Sequence, residues 1–206
     1  MRVIESIGEL LGLQGMEIES VIEEDDKSVT LRLGRSEDAE WSCPACHSLE
    51  VVCYDHAPRR RVRDLPLWDR QCSLEFRPAR VKCRRCGAVS TESLSWLEAK
   101  QHQTLRFERR LVLLCERTTA KEAGEFEGVE RDATYRIERR WLGKVAANWK
   151  PEVPETLCID EISLRRGHNY ATLFYDLSKR AVIGMVEGRK AVDCSRFLRG
   201  WSKELR

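Results

Sequence analysis

Apolar positions along this chain change period several times, and each change marks an element. Ile4, Ile7, Leu10 and Leu11 recur at helical spacing until Gly12 and Gly15 end the run. Residues 16–22 then alternate apolar and polar, the acidic turn Glu23-Glu24-Asp25-Asp26-Lys27 follows, and residues 29–33 alternate again. A short helix and a β-hairpin are predicted there. Strand-like patterns return at 49–54, 60–65 and 72–82. Helical spacing takes over with Phe107, Leu111, Leu114 and Cys115 on one face of a helix ending near Arg117. Thr119 and Glu122 have capping-box spacing at the start of a short helix that Gly128 closes, with Gly124 inside it where alanine is more usual. Val129, Ala133, Ile137 and Trp141 repeat on a third helix. After the proline-marked stretch Lys150-Pro151-Glu152-Val153-Pro154, strands are predicted at 156–161, 170–177 and 180–187, the last two joined by a tight Ser178-Lys179 turn. A helix starting near Asp193 follows.

Cysteine spacing changes this picture most. Cys43-Pro-Ala-Cys46 and Cys83-Arg-Arg-Cys86 are two CxxC knuckles. Each directs two thiolates at one point, and together they supply the four sulfur ligands of a tetrahedral structural zinc ion. The 36 intervening residues exceed the loop of a compact zinc ribbon and are expected to hold strands of their own. Cys53, Cys72, His47 and His56 are alternative ligands that four better-spaced thiols make unnecessary. Nine cysteines in 206 residues is not the density of a disulfide scaffold. Residues 1–13 lack the apolar core of an export signal, and no run approaches the ~18 apolar residues of a membrane span. The expected compartment is the cytoplasm, with no membrane partner and with thiols free for metal.

Net charge is only +2, but it is unevenly placed. Residues 1–42 carry 4 basic and 11 acidic side chains, whereas residues 43–86 carry 10 and 5. The basic excess therefore sits on the cysteine module, in Arg59, Arg60, Arg61 and Arg63 and in Arg77, Arg80, Lys82, Arg84 and Arg85. Such a surface suits phosphate contact; a solvated mixed-charge strand face is the plain alternative. Short helix, glycine turn and arginine-bearing helix form a helix-turn-helix pattern, although helical hairpins without DNA contact share it. In the DNA-binding reading, Arg131, Thr134, Tyr135 and Arg136 lie nearest the bases and Arg139 and Arg140 nearer the phosphates of double-stranded DNA.

The elements add up to a multidomain α+β chain. Residues 1–40 form an amino-terminal helix and hairpin, 41–98 a zinc-binding β domain, 99–150 a helix-turn-helix region, and 151–206 the start of a further α/β domain.

The order of these features resembles a known family. CPAC, an arginine-rich stretch with Asp64-Leu65-Pro66, the run from Arg80 through Cys86 to Gly87, the helix-turn-helix and the run from Ile159-Asp160-Glu161 to Tyr170-Ala171-Thr172 are similar to the ISL-three family of DDE insertion-sequence transposases. The resemblance implies a zinc-binding domain, a helix-turn-helix and a catalytic domain of ribonuclease-H-like fold. In that domain two aspartates and a glutamate hold two divalent ions, magnesium or manganese, that cut and join strands. It further implies binding to terminal inverted repeats, with copies of the chain as a homo-oligomer among the expected partners. Asp160 matches the first catalytic acid, expected at a strand end where a hard cation meets carboxylate oxygen. Glu161 is expected on the opposite face and Asp176 in a structural role, with His168 in a loop beside the site. The chain reaches Arg206 inside the first helix of that fold, so it is expected to be truncated and to lack the other two acids. The alternative to a transposase is a stand-alone DNA-binding repressor or a non-catalytic zinc protein.

Overall fold

The computed structural model describes residues 11–37, 39–150, 152–165, 167 and 169–199. The predicted first helix falls mostly on residues 1–10 and lies outside this set, as do Arg166 and His168. The chain divides into two compact units, Met1–Leu142 and Gly143–Arg206. The division falls at Gly143, ahead of the proline-marked stretch.

In the first unit the predicted hairpin forms as β1 (Met16–Asp25) and β2 (Ser28–Arg35), turned by the acidic stretch, with Asp25 accepting from the Lys27 amide and the Ser28 hydroxyl. Both strands outrun their alternating cores, because backbone pairing continues through polar residues. Between the knuckles lie β3 (Val51–His56), β4 (Arg60–Leu67), β5 (Arg70–Phe76) and β6 (Ala79–Cys83). The stretch predicted as one strand over 72–82 is two, broken at Arg77-Pro78, since proline removes a ladder donor. After the second knuckle comes β7 (Val89–Thr91).

These strands sort into two sheets. One has the order β1-β2-β5-β4, with β2 and β5 parallel; the other has the order β3-β6-β7, all antiparallel. The segment between the knuckles thus belongs to both sheets. The larger sheet carries the main core, in which Val29, Leu31, Val62, Leu74 and Phe76 pack with Leu13, Trp96 and Leu97. Cys72 is fully buried in this core, where burial pushes its thiol up to about 12. It is packing, not a ligand.

Three helices follow: α1 (Leu105–Cys115), α2 (Ala120–Glu127) and α3 (Arg131–Asn148), the last running past the division at Gly143. The Thr119–Glu122 capping box is present with both of its bonds, and Gly128 ends α2 at φ 67°. The helices share a small core of Leu111, Ala123 and Ile137. Gly124 is not a weak choice in this setting. A Cβ at Gly124 would lie 2.6 Å from the Val129 carbonyl oxygen and 2.7 Å from Thr134 Oγ1, so α2 meets the start of α3 through a bare backbone.

The second unit is a meander of β8 (Leu157–Arg165), β9 (Asn169–Asp176) and β10 (Ala181–Glu187), in the order β10-β9-β8, followed by α4 (Ala191–Leu198). The β9–β10 turn spans four residues rather than two; Asp176 accepts from the Ser178 and Lys179 amides and so shapes it. One face packs under α4, with Phe174 and Phe197 stacked at 4.2 Å over Gly184, where any side chain would enter the Phe197 ring.

Candidate metal centre and nucleic-acid interface

The knuckles repeat one local design. The amide of Cys43 donates to the Ser48 carbonyl and that of His47 to the Cys43 carbonyl; Cys83 and Ala88, then Gly87 and Cys83, make the same two bonds. Both turns need a left-handed residue after the second cysteine: Gly87 at φ 74° and, less comfortably, His47 at φ 57°. The imidazole of the first knuckle is therefore a turn residue and no ligand is required of it.

Strand β3 leaves the first knuckle and pairs with β6, whose last residue opens the second. Cys43 Sγ comes to 3.7 Å from Cys86 Sγ, and Cys46 Sγ to 3.6 Å from Cys83 Sγ. All four sulfurs lie within 4.8 Å of one another. A zinc–sulfur bond of about 2.3 Å in a tetrahedron requires sulfurs about 3.8 Å apart, so the donor set fits the ion. Electrostatics agree. The Cys46 amide draws the Cys43 thiol down to about 7. At Cys46 the Ser48 amide also stabilises the thiolate, but burial and the neighbouring sulfurs push the group up to about 12. Four sulfurs this close ionise together only around a cation. Among the described residues this is the one cluster of three or more potential ligands.

Several expected DNA contacts have other duties. Thr134 is fully buried against Gly124, its hydroxyl bonded to the Glu130 carbonyl, and has no surface to offer a base. Arg140 turns inward: its guanidinium meets Glu98 and the buried carboxylate of Glu108, which also takes the Trp141 indole N–H at 2.8 Å. Both assignments are corrected by the face that α3 buries, Thr134, Ile137 and Trp141. On the opposite face Arg131, Tyr135, Arg136 and Arg139 are exposed. Arg131 pairs with its neighbour Asp132. The basic stretch on β4 is also partly committed, since Arg59 pairs with Glu75 and Arg60 donates to the Gln101 carbonyl. Arg61 is exposed.

A second network has no signature in the spacing of residues along the chain. Asp64, fully buried on β4, accepts the Thr104 hydroxyl at 2.6 Å and pairs with Arg106. Thr104 caps α1, and its amide donates to the Arg63 carbonyl. Buried Glu127, at the end of α2, is matched by Arg110. Asp64 thus ties β4 to α1 and Glu127 ties α2 to α1, and burying a carboxylate is costly unless it is paired in this way.

Asp160 lies in the middle of β8, opposite Leu173, rather than at a strand end. The strand runs on to Arg165 because β9 continues to pair with it. Asp160 is exposed and accepts from the Glu161 amide at 2.8 Å. Glu161 and Asp176 lie across from Thr172 and Leu157, on the other face. No described carboxylate joins Asp160 in a metal-sized cluster.

Comparison with known proteins places these parts. Residues 39–86 match the family model described as the zinc-finger of transposase IS204/IS1001/IS1096/IS1165, and residues 157–206 match one described as transposase. A protein of Bordetella parapertussis described as the transposase for insertion sequence element IS1001 is 27% identical over 189 residues, covering 91% of this chain. The alignment takes in 46% of that relative, so the chain spans about half its length. No solved structure matches. No helix among the described residues is long and apolar enough to cross a membrane. The zinc-finger match and the transposase match are joined by an alignment that runs through nearly the whole chain, and over that length the chain is similar to insertion-sequence transposases of the ISL-three family.

Proposed function

We propose that this chain recognises the ends of an insertion sequence, gripping terminal inverted repeats in double-stranded DNA with its zinc finger and with a helix-turn-helix made by α1, α2 and α3. The observation that carries this reading is the two-sidedness of α3. Its inner face is fixed by Thr134, Ile137 and Trp141, and its outer face presents Arg131, Tyr135, Arg136 and Arg139 to solvent. A capped helix, a left-handed glycine and a helix with one basic face is the arrangement that enters a major groove. Zinc holds the ribbon as structure, without touching DNA.

In this reading the second unit begins a ribonuclease-H-like catalytic domain. Asp160 supplies one carboxylate to a centre for magnesium or manganese, and the other two acids come from sequence beyond the residues described. The ions would activate the attacking oxygen and stabilise the leaving one.

The test is binding to an inverted-repeat duplex and to a scrambled duplex across a salt series. Alanine at Arg136 and Arg139 should lower the slope of log affinity against log salt by about one for each phosphate left without its arginine. Removing a side chain that reads a base should cost about 1–3 kcal/mol of discrimination. Unchanged affinity, slope and discrimination in the double variant would remove α3 from the interface.

A further inference from the structure

A cavity of about 250 Å³ opens between the two sheets of the first unit. It is lined by Arg35 at the end of β2 and Trp41 just before the first knuckle, together with His56, Arg59 and Arg77. Arg35 is held from three directions. Its guanidinium meets Glu92, one terminal nitrogen donates to the Glu40 carbonyl at 3.2 Å, and its plane lies 5.2 Å from the Trp41 ring centre. Two N–H groups of this pair are nevertheless buried with no acceptor among the described residues: Arg35 Nε and Trp41 Nε1. Buried donors without acceptors are rare and costly, and two from touching side chains in one cavity point to an acceptor supplied from outside.

The charge of the cavity says which kind. Three arginines line it against two carboxylates, Glu19 and Glu92. Glu92 is already committed to Arg35 and to the Ala79 amide, which donates at 2.8 Å. Arg77 is exposed and has no ion pair among the described residues, while Arg59 reaches Glu75 yet remains half exposed. What is left is the exposed carboxylate of Glu19 against the charges of Arg77 and half-exposed Arg59 and the two N–H groups without acceptors, an excess of donors and of positive charge. Indole and guanidinium N–H groups, arginine charge and an imidazole form a receptor for a compact, acceptor-only anion.

We propose that this cavity is a phosphate-binding site, distinct from the exposed face of α3 and from the zinc cluster, taking either a phosphodiester of the nucleic-acid backbone or a free phosphate. Trp41 and Arg35 are its inner donors, and Arg77 and Arg59 are the charges at its mouth.

The experiment follows the indole N–H resonances of the zinc-loaded, ¹⁵N-labelled chain while inorganic phosphate is added at constant ionic strength. The Trp41 resonance is identified by its loss in Trp41→Phe. It should move and saturate with phosphate and stay in place with matched chloride. Arg77→Gln, a change at an exposed side chain, should raise the half-saturating phosphate concentration about three- to fivefold. Should Trp41→Phe not fold, Trp41→Tyr serves for the assignment, and the Arg77→Gln comparison reads the same saturable resonance. A short DNA duplex then separates the sources. Displacement of phosphate by duplex assigns the site to the backbone of DNA; duplex binding that leaves the phosphate-shifted resonance untouched assigns it to a free anion. A chain that binds duplex but shows no saturable Trp41 shift with either probe overturns the phosphate site and leaves the reading of α3 standing. A saturable shift in a chain that binds no DNA does the reverse.

Discussion

Replacing Gly124 with alanine should destabilise this protein, although the same change in an ordinary helix stabilises it. Glycine inside a helix is disfavoured against alanine by about 1 kcal/mol, so propensity alone predicts a gain of that size. The packing opposes it. A new methyl carbon at Gly124 would stand 2.6 Å from a backbone oxygen, that of Val129, and 2.7 Å from Thr134 Oγ1, where 3.0 Å is already a floor. Neither neighbour can yield cheaply. The Val129 amide is bonded to the Gly124 carbonyl at 2.8 Å, and fully buried Thr134 has no solvent to turn into. The α2–α3 turn must open by about half an ångström, and overpacking of this kind costs about 1–3 kcal/mol. The expected net loss is about 1 kcal/mol, the middle of that range less the propensity gain, or a fall of about 0.5 M in the urea midpoint at a slope near 2 kcal/mol per molar. Gly143, also helical, is the control: nothing lies within 4 Å of a Cβ there, and alanine should stabilise by about 0.5–1 kcal/mol. Urea unfolding of the zinc-loaded protein, followed by helical circular dichroism, compares the two. A midpoint for Gly124→Ala at or above wild type would refute the close approach of the helices.

Other consequences are as direct. Serine at Cys83 should abolish zinc binding, by elemental analysis, and unfold the β3-β6-β7 sheet, because structural zinc contributes on the order of 10 kcal/mol near neutral pH. Thr119→Ala should cost about 1 kcal/mol in the same urea assay through loss of the capping box. The Thr119 amide holds the Glu122 carboxyl below its ordinary 4.5, so that side chain's contribution is present above the ordinary value and fades as pH falls through the lowered one; a Glu122→Gln variant should show less of this acid sensitivity. The chain itself should cleave no DNA with magnesium or manganese, since Asp160 has no companion carboxylate among the described residues; in a full-length transposase carrying this segment, Asp160→Asn should abolish cleavage and leave end binding intact. Metal-dependent cleavage by this chain that Asp160→Asn removes would contradict that assignment.

Local chemistry is what the sequence makes legible. Cysteine spacing carries the ligand set because two thiolates on a short turn converge whatever the rest of the chain does. The box at Thr119 and the stop at Gly128 are equally local. The sheet partners are not legible, since alternation in β1, β2, β4 and β5 says only that each has one buried face. A repeat of four counted from Val129 turns Thr134 outward, but the helix itself starts at Arg131. Counting back three and four from Ile137 and Trp141 puts Thr134 inside, and its hydroxyl hides there by bonding to the turn behind it. Two adjacent acids at Asp160 look like the end of a strand. An exposed strand tolerates them as long as its backbone finds a partner. Asp64 carries no local signal, as its role depends on Arg106 and Thr104 from a distant helix.

The place of β4 and β5 between the two knuckles has a kinetic side. Closing a loop of 36 residues by metal alone costs about 3 kcal/mol of chain entropy beyond a constant, and that cost must be met before the ion returns anything. Here the hairpin of β4 and β5 can form first, by local pairing, and dock beside β2 on a hydrophobic face that needs no metal. The knuckles are then carried toward each other by β3 and β6, and the ion arrives at a nearly closed ring. Zinc capture should accordingly be fast only after the larger sheet has formed, so a refolding chain would acquire its main core in the absence of metal and its ribbon only on adding it.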